Sequence, residues 1–133
     1  MTSNFKAFLK SEVSPLETVE VKLDRFSEPI KLRPLSSAES DRISEQAFDK
    51  LPGKGGQITR VFNNVKNLRG MCVHSIIYPD LNDSGLQASY GVTGAIALYG
   101  ELFSMGESQT IADKVAEISG ITDINEDIEE AKN

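Results

Sequence analysis

Proline and glycine cut this chain into short pieces, and that punctuation limits it to short elements. Pro15, Pro34, Pro52 and Pro79 stand where a helix or a central strand must stop, and Gly91, Gly106 and Gly120 break up the remainder. Between the breaks, the period of the apolar residues decides between strand and helix. Val19, Val21 and Leu23 alternate, and so do Ile30 and Leu32. The two runs flank a turn-like stretch, residues 24–29, and predict a β-hairpin from about residue 18 to residue 32. A lone hairpin is marginal in water, so it must pack on helices.

Elsewhere the spacing is helical. Phe5, Phe8 and Leu9 share a face in residues 3–12, behind a cap at Ser3 or Asn4. Ser36-Ser37-Ala38-Glu39 is a capping box, and Ala38, Ile43, Ala47, Phe48 and Leu51 carry a helix on to Pro52. Residues 52–57 read as a flexible loop. Val61, Phe62, Val65, Leu68, Cys72, Ser75 and Ile76 predict one long helix over residues 58–78. Asn82 or Asp83 caps a short helix to Tyr90. Further helices are expected over residues 92–103 and 107–119, the last closed by Gly120. The expected fold is mainly α within the α+β class: a small helical domain with an N-terminal β-hairpin. Residues 1–120 form that single domain, and residues 121–133 an acidic C-terminal tail.

The 133 residues suit one domain, and a hydrophobic content of 39% with no Trp implies a modest core. No apolar run approaches the ~18 residues of a membrane span, and the polar first ten residues show no secretory pattern. The lone Cys72 excludes an internal disulfide framework and a cysteine-built zinc site. Charge is unevenly placed. Residues 1–100 hold 12 basic and 11 acidic residues, whereas residues 101–133 hold 2 and 9. Such net acidity argues against general nucleic-acid binding. Residues 50–70 are the exception, with five bases (Lys50, Lys54, Arg60, Lys66, Arg69) and no acid. With one aromatic, Phe62, that stretch reads as a solvated basic face or one that meets an acidic partner, such as the acidic end of another copy.

Motifs that suggest chemistry fail on inspection. Cys72 and His74 are two apart, and such neighbours on a helix point away from each other, so they make no nucleophilic pair. Asp80-Leu81-Asn82-Asp83-Ser84-Gly85 imitates the start of a calcium loop, but Gly91 occupies the place of the closing bidentate Glu. Gly53-Lys54-Gly55-Gly56 lacks the spacing and the preceding strand of a phosphate loop. No catalytic set, cofactor site or metal site is expected, and the residues point to a binding protein. Candidate partner-binding residues are Tyr99, Phe103 and Met105, because aromatics and Met are enriched at interface centres. The competing expectation is that this apolar stripe faces the domain interior.

Lys31-Leu32-Arg33-Pro34-Leu35-Ser36-Ser37-Ala38-Glu39 resembles the strand-to-helix transition of phage tail assembly chaperones from Gram-positive siphophages, myophages and defective prophages. The fifteen contiguous residues from Tyr78 to Val92 resemble that family's central motif, and Glu129-Glu130-Ala131-Lys132-Asn133 is similar to its terminus. The resemblance implies a helical, oligomerising chaperone, most simply a homo-oligomer. It implies action in the host cytoplasm and absence from the mature virion. Its implied partner is the tape measure protein, with the tail tube protein as a second partner. It also implies a longer product made by −1 ribosomal slippage, for which Ala131-Lys132-Asn133 supplies a slip heptamer if encoded GCA-AAA-AAC. The alternatives are a structural virion component (tail tube or head–tail connector subunit) and a small nucleic-acid-binding regulator. The former are usually richer in strands, so a mostly helical chain favours the chaperone.

Overall fold

The computed structural model describes residues 5–121. Ten regular elements follow in chain order: β1 (Val19–Val21), β2 (Ile30–Leu32), α1 (Ser37–Glu45), β3 (Phe48–Pro52), β4 (Ile58–Phe62), α2 (Asn64–Ser75), β5 (Ile76–Tyr78), α3 (Ser84–Ser89), α4 (Ala95–Leu102) and α5 (Met105–Ile118). β1 pairs antiparallel with β2, with Val19 opposite Leu32 and Val21 opposite Ile30. β5 adds antiparallel to the other side of β2, completing a three-stranded sheet. β3 and β4 form a separate two-stranded sheet.

The expectation of a mainly α chain with one hairpin is therefore corrected. Helix accounts for 47% and strand for 16% of the described residues, in two sheets, which makes the fold an α+β mix. Two helices are shorter than expected. The first stops at Glu45, and residues 48–52 turn into β3. The second begins only at Asn64, because Asn63 is its N-cap: Lys66 N–H donates to Asn63 Oδ1 at 3.0 Å. Upstream of that cap, Ile58-Thr59-Arg60-Val61-Phe62 is rich in β-branched and aromatic residues and pairs in full register with β3. Downstream, Ile76 and Ile77 leave the helix as β5. The short apolar runs fit either period, and cross-strand pairing decides. At the N-terminus the expected amphipathic helix reduces to one 3₁₀ turn, Lys6–Phe8, with Phe5 and Phe8 exposed.

The core lies between the three-stranded sheet and helices α2, α4 and α5. Leu32, Cys72, Leu98, Tyr99 and Ile111 are almost fully buried there, with Val21, Ile30, Ile43, Ile76, Leu102, Phe103 and Val115 around them. α1 closes on α2 at Gly70, where a Cβ would stand 2.8 Å from Ile43 Cγ2. That methyl is fixed to a branched carbon, so Gly70 is the residue that lets the helices approach.

Two arginines from the sheet loops lock two helix starts. Arg33 forks onto Glu39 (Nη1 to Oε1 3.0 Å, Nη2 to Oε2 2.6 Å), and Glu39 also closes the capping box with Ser36. Arg25 does the same at α5. Its Nε and Nη2 donate to Glu107 at 3.1 and 2.5 Å, and Nη2 also donates to Leu102 O at 2.6 Å, while Glu107 closes a second box with Ser104. The arginine hydrogen bonds, helped by the capping-box N–H, hold each glutamate at a pKa of about 2, against an ordinary 4.5. A carboxylate with a depressed folded pKa stabilises the fold above its unfolded value and loses that contribution as pH falls toward the folded one. The melting temperature should therefore drop as pH goes from about 5 to about 2. In a Glu39→Gln/Glu107→Gln double variant it should start lower and fall less steeply, which a thermal melt series across pH will show.

Candidate functional site

The β3–β4 hairpin stands off the core as an arm. It grows from a root in which Asn63 N–H donates to Ala47 O at 2.7 Å, and it ends at a glycine-rich turn in which Gly53 N–H donates to Gln57 O at 2.6 Å. At that turn Gly55 and Gly56 both take positive φ (70° and 78°), a conformation glycine adopts freely. Every residue of β4 is exposed. One face carries Phe48 against Phe62 (ring centroids 5.3 Å apart, edge-on), Lys50 beside Arg60, and Pro52 beside Ile58. The Arg60 guanidinium lies 4.5 Å over the Phe48 ring. The other face carries Leu51 and Val61 with Asp49 and Thr59. Asp49 is tied back to α2: Lys66 Nζ and Asn63 Nδ2 both donate to it at 2.9 Å, and these bonds hold its carboxyl below the usual range.

On α2, Val65 and Leu68 are exposed as well. Leu68 then lines a groove of about 390 Å³ between α1, α2 and α5, together with Leu35, Met71, Ala112, Val115 and Ile121. Exposed apolar residues thus lie on both faces of the arm and on α2, among the bases of residues 50–70. A second, larger and more polar cleft of about 920 Å³ lies on the other side of α2, lined by Arg69, His74, Asp80, Thr93 and Glu101 among others.

The candidate residues from sequence do not share one surface. Tyr99 (1% exposed) and Phe103 (6%) are core residues, packed on each other with ring centroids 5.1 Å apart. The Tyr99 hydroxyl bonds to Ser108 Oγ at 2.8 Å, and burial pushes its pKa up. Phe103 also meets Phe26 edge-on. Met105, by contrast, is 92% exposed at the first turn of α5. Cys72 is buried while His74 faces out, and burial raises the thiol pKa. The exposed residues that sequence reading missed are Leu51, Ile58, Val61 and Phe62, because they were assigned to helices. Their period-2 alternation across the glycine-rich turn is the signal that finds them.

The fold and surface define a small α+β domain that carries an arm of exposed apolar and basic residues. Residues 5–132 match the family model for the phage XkdN-like tail assembly chaperone protein, and the chain belongs to that family. A search of the curated proteins found no match. Among solved structures, the crystal structure of the protein YqbN superposes with a TM-score of 0.71 at 16% identity, covering 90% of this chain and 98% of that one. At that identity the likeness speaks for the fold. The family is one of assembly chaperones and not of enzymes. Among the described residues, no helix is long and apolar enough to cross a membrane.

The placement of Phe103 and Met105 has opposite consequences for mutation. Phe103→Asp should abolish the cooperative melt, because it trades a packed ring for an unpaired buried charge. Met105→Asp should leave the melting temperature within the range of an ordinary surface change, about 0.5 kcal/mol. Thermal denaturation of the two variants checks both.

Proposed function

We propose that this tail assembly chaperone binds the tape measure protein of its phage and keeps it soluble until tube subunits assemble around it. The observation that carries this reading is the set of large apolar residues left exposed on the arm and on α2, namely Leu51, Ile58, Val61, Phe62, Val65 and Leu68, the last of them lining the groove. A free domain that keeps such a set exposed has a partner to cover it. A long tape measure helix presents apolar stripes that need reversible cover, and an arm beside a groove suits a segment laid across it. On this reading the chain works in the host cytoplasm and leaves before the virion matures. It acts as a homo-oligomer, with the tail tube protein as a second partner at the moment of hand-over.

Co-expression of the tape measure protein encoded in the same genome tests the reading. It should move from the insoluble to the soluble fraction when this chain is present. A Leu51→Ser/Val61→Ser variant, which keeps the strand register and the core, should rescue less of it. A tape measure protein that is equally soluble alone, or equally insoluble with the chaperone, contradicts the proposal.

A further inference from the structure

The two long edges of the arm are not equivalent. In an antiparallel ladder, residues bonded inward alternate with residues whose backbone groups point away. The bonds at the root (Asn63 to Ala47) and at the turn (Gly53 to Gln57) fix the phase. With the unbroken register between them, Asp49/Val61 and Leu51/Thr59 are the inward-bonded pairs. The backbone groups of Phe48, Lys50 and Pro52 thus line one outer edge, and those of Ile58, Arg60 and Phe62 the other. Pro52 removes a donor from the β3 edge, which blunts it. The β4 edge keeps all three donors. Among the described residues no other strand pairs with it, and no backbone hydrogen bond from another element reaches Ile58, Arg60 or Phe62.

The side chains beside that edge state what they lack. Lys50 stands directly opposite Arg60, in a non-hydrogen-bonded pair, where side chains come closest. Like charges so placed are destabilising. The only carboxylate near them among the described ion pairs is Glu45, 3.7 Å from Arg60 with both side chains mostly exposed. Ile58 and Phe62, 67% and 43% exposed, flank Arg60 on the same face.

We propose that the β4 edge receives an extended acidic segment of the partner as a third strand. Its apolar residues at i and i+4 lie against Phe62 and Ile58, and its carboxylate at i+2 lies over Arg60 and Lys50. The proposal rests on the reading that the chain binds a partner polypeptide. The β4 edge of a second copy is the poorer occupant, since β4 pairing with β4 about a two-fold axis centred there brings Arg60 against Arg60.

The probe is a short synthetic peptide containing Val-Thr-Glu-Thr-Ile, titrated into the full chain and followed by amide NMR. The control peptide carries Lys in place of Glu. The amides of Ile58, Arg60 and Phe62 should shift and gain protection from exchange, and added salt should weaken binding. The Lys peptide should bind at least about tenfold more weakly, the size of one exposed-to-buried charge contact turned repulsive. Ile58→Pro removes one outward donor without touching an inward bond, and it should lose the peptide to a similar degree. Arg60→Glu keeps every backbone donor and should prefer the Lys peptide, which separates recognition from any fault in folding. Equal binding of the two peptides, no response at the β4 amides, or unchanged binding by Ile58→Pro overturns the proposal. So do concentration-dependent shifts at those amides without peptide, which identify a second copy as the occupant. The solubility assay is scored apart. Full rescue by Ile58→Pro overturns the edge and leaves the chaperone reading standing. Absence of rescue by the wild type overturns that reading, while the titration still decides the edge.

Discussion

Arg33 is the residue on which the rest of the architecture hangs. Its N–H donates to Ser75 O at 2.8 Å, and its own carbonyl accepts from Ser75 Oγ at 2.6 Å. Ser75 is the one buried polar residue of the described core, so these bonds are made where water cannot replace them. They fasten the end of α2 to the end of β2 and let β5 complete the sheet beside it. The guanidinium then reaches Glu39 and fixes the start of α1. One residue thereby sets the relation between the sheet, α1 and α2. The arm springs from between those two helices, so the same tie determines where it points.

The arm exposes the kind of surface that the core exists to remove from water. Leu51, Ile58, Val61 and Phe62 gain little from folding where they are, and the hairpin holds through its ladder, the Phe48–Phe62 contact and the Asp49 ties to α2. Its bases limit self-association, since two arms meeting edge to edge bring like charges together. Apolar residues interleaved with Lys and Arg are thus compatible with an unliganded domain. The acidic balance of the rest of the chain adds to that asymmetry.

Much of the fold was legible because its signals are local. Alternation at Val19, Val21, Ile30 and Leu32 marks two strands, and Ser36 with Glu39 marks a helix start. The same S-x-x-E signal at Ser104 and Glu107 sets the start of α5 at Met105, two residues before the expected Glu107. The arm was hidden for a different reason. Phe48, Leu51, Val61, Phe62, Val65 and Leu68 fit a helical stripe as well as two short strands, and only the pairing of residue 48 with residue 62 separates them. Tyr99 and Phe103 are candidates because aromatics are enriched at interface centres, and their burial follows the other expectation, that the stripe faces the domain interior. The strand content also weakens the argument from helicity against a virion component, so the assignment rests on the family match. The acidic stretch expected beyond residue 121 lies outside the described residues.

The arm stands off the core, so the core should fold without it. Replacing residues 50–60 by Asn-Gly closes the ladder next to the inward-bonded Asp49/Val61 pair with a two-residue turn and leaves Ala47, Phe48, Phe62 and Asn63 in place. A cooperative thermal transition is expected within about 5 °C of the intact chain, equivalent to roughly 1 kcal/mol for a domain of this size. A variant that melts far lower, or without cooperativity, would show the arm to be part of the core and contradict the account.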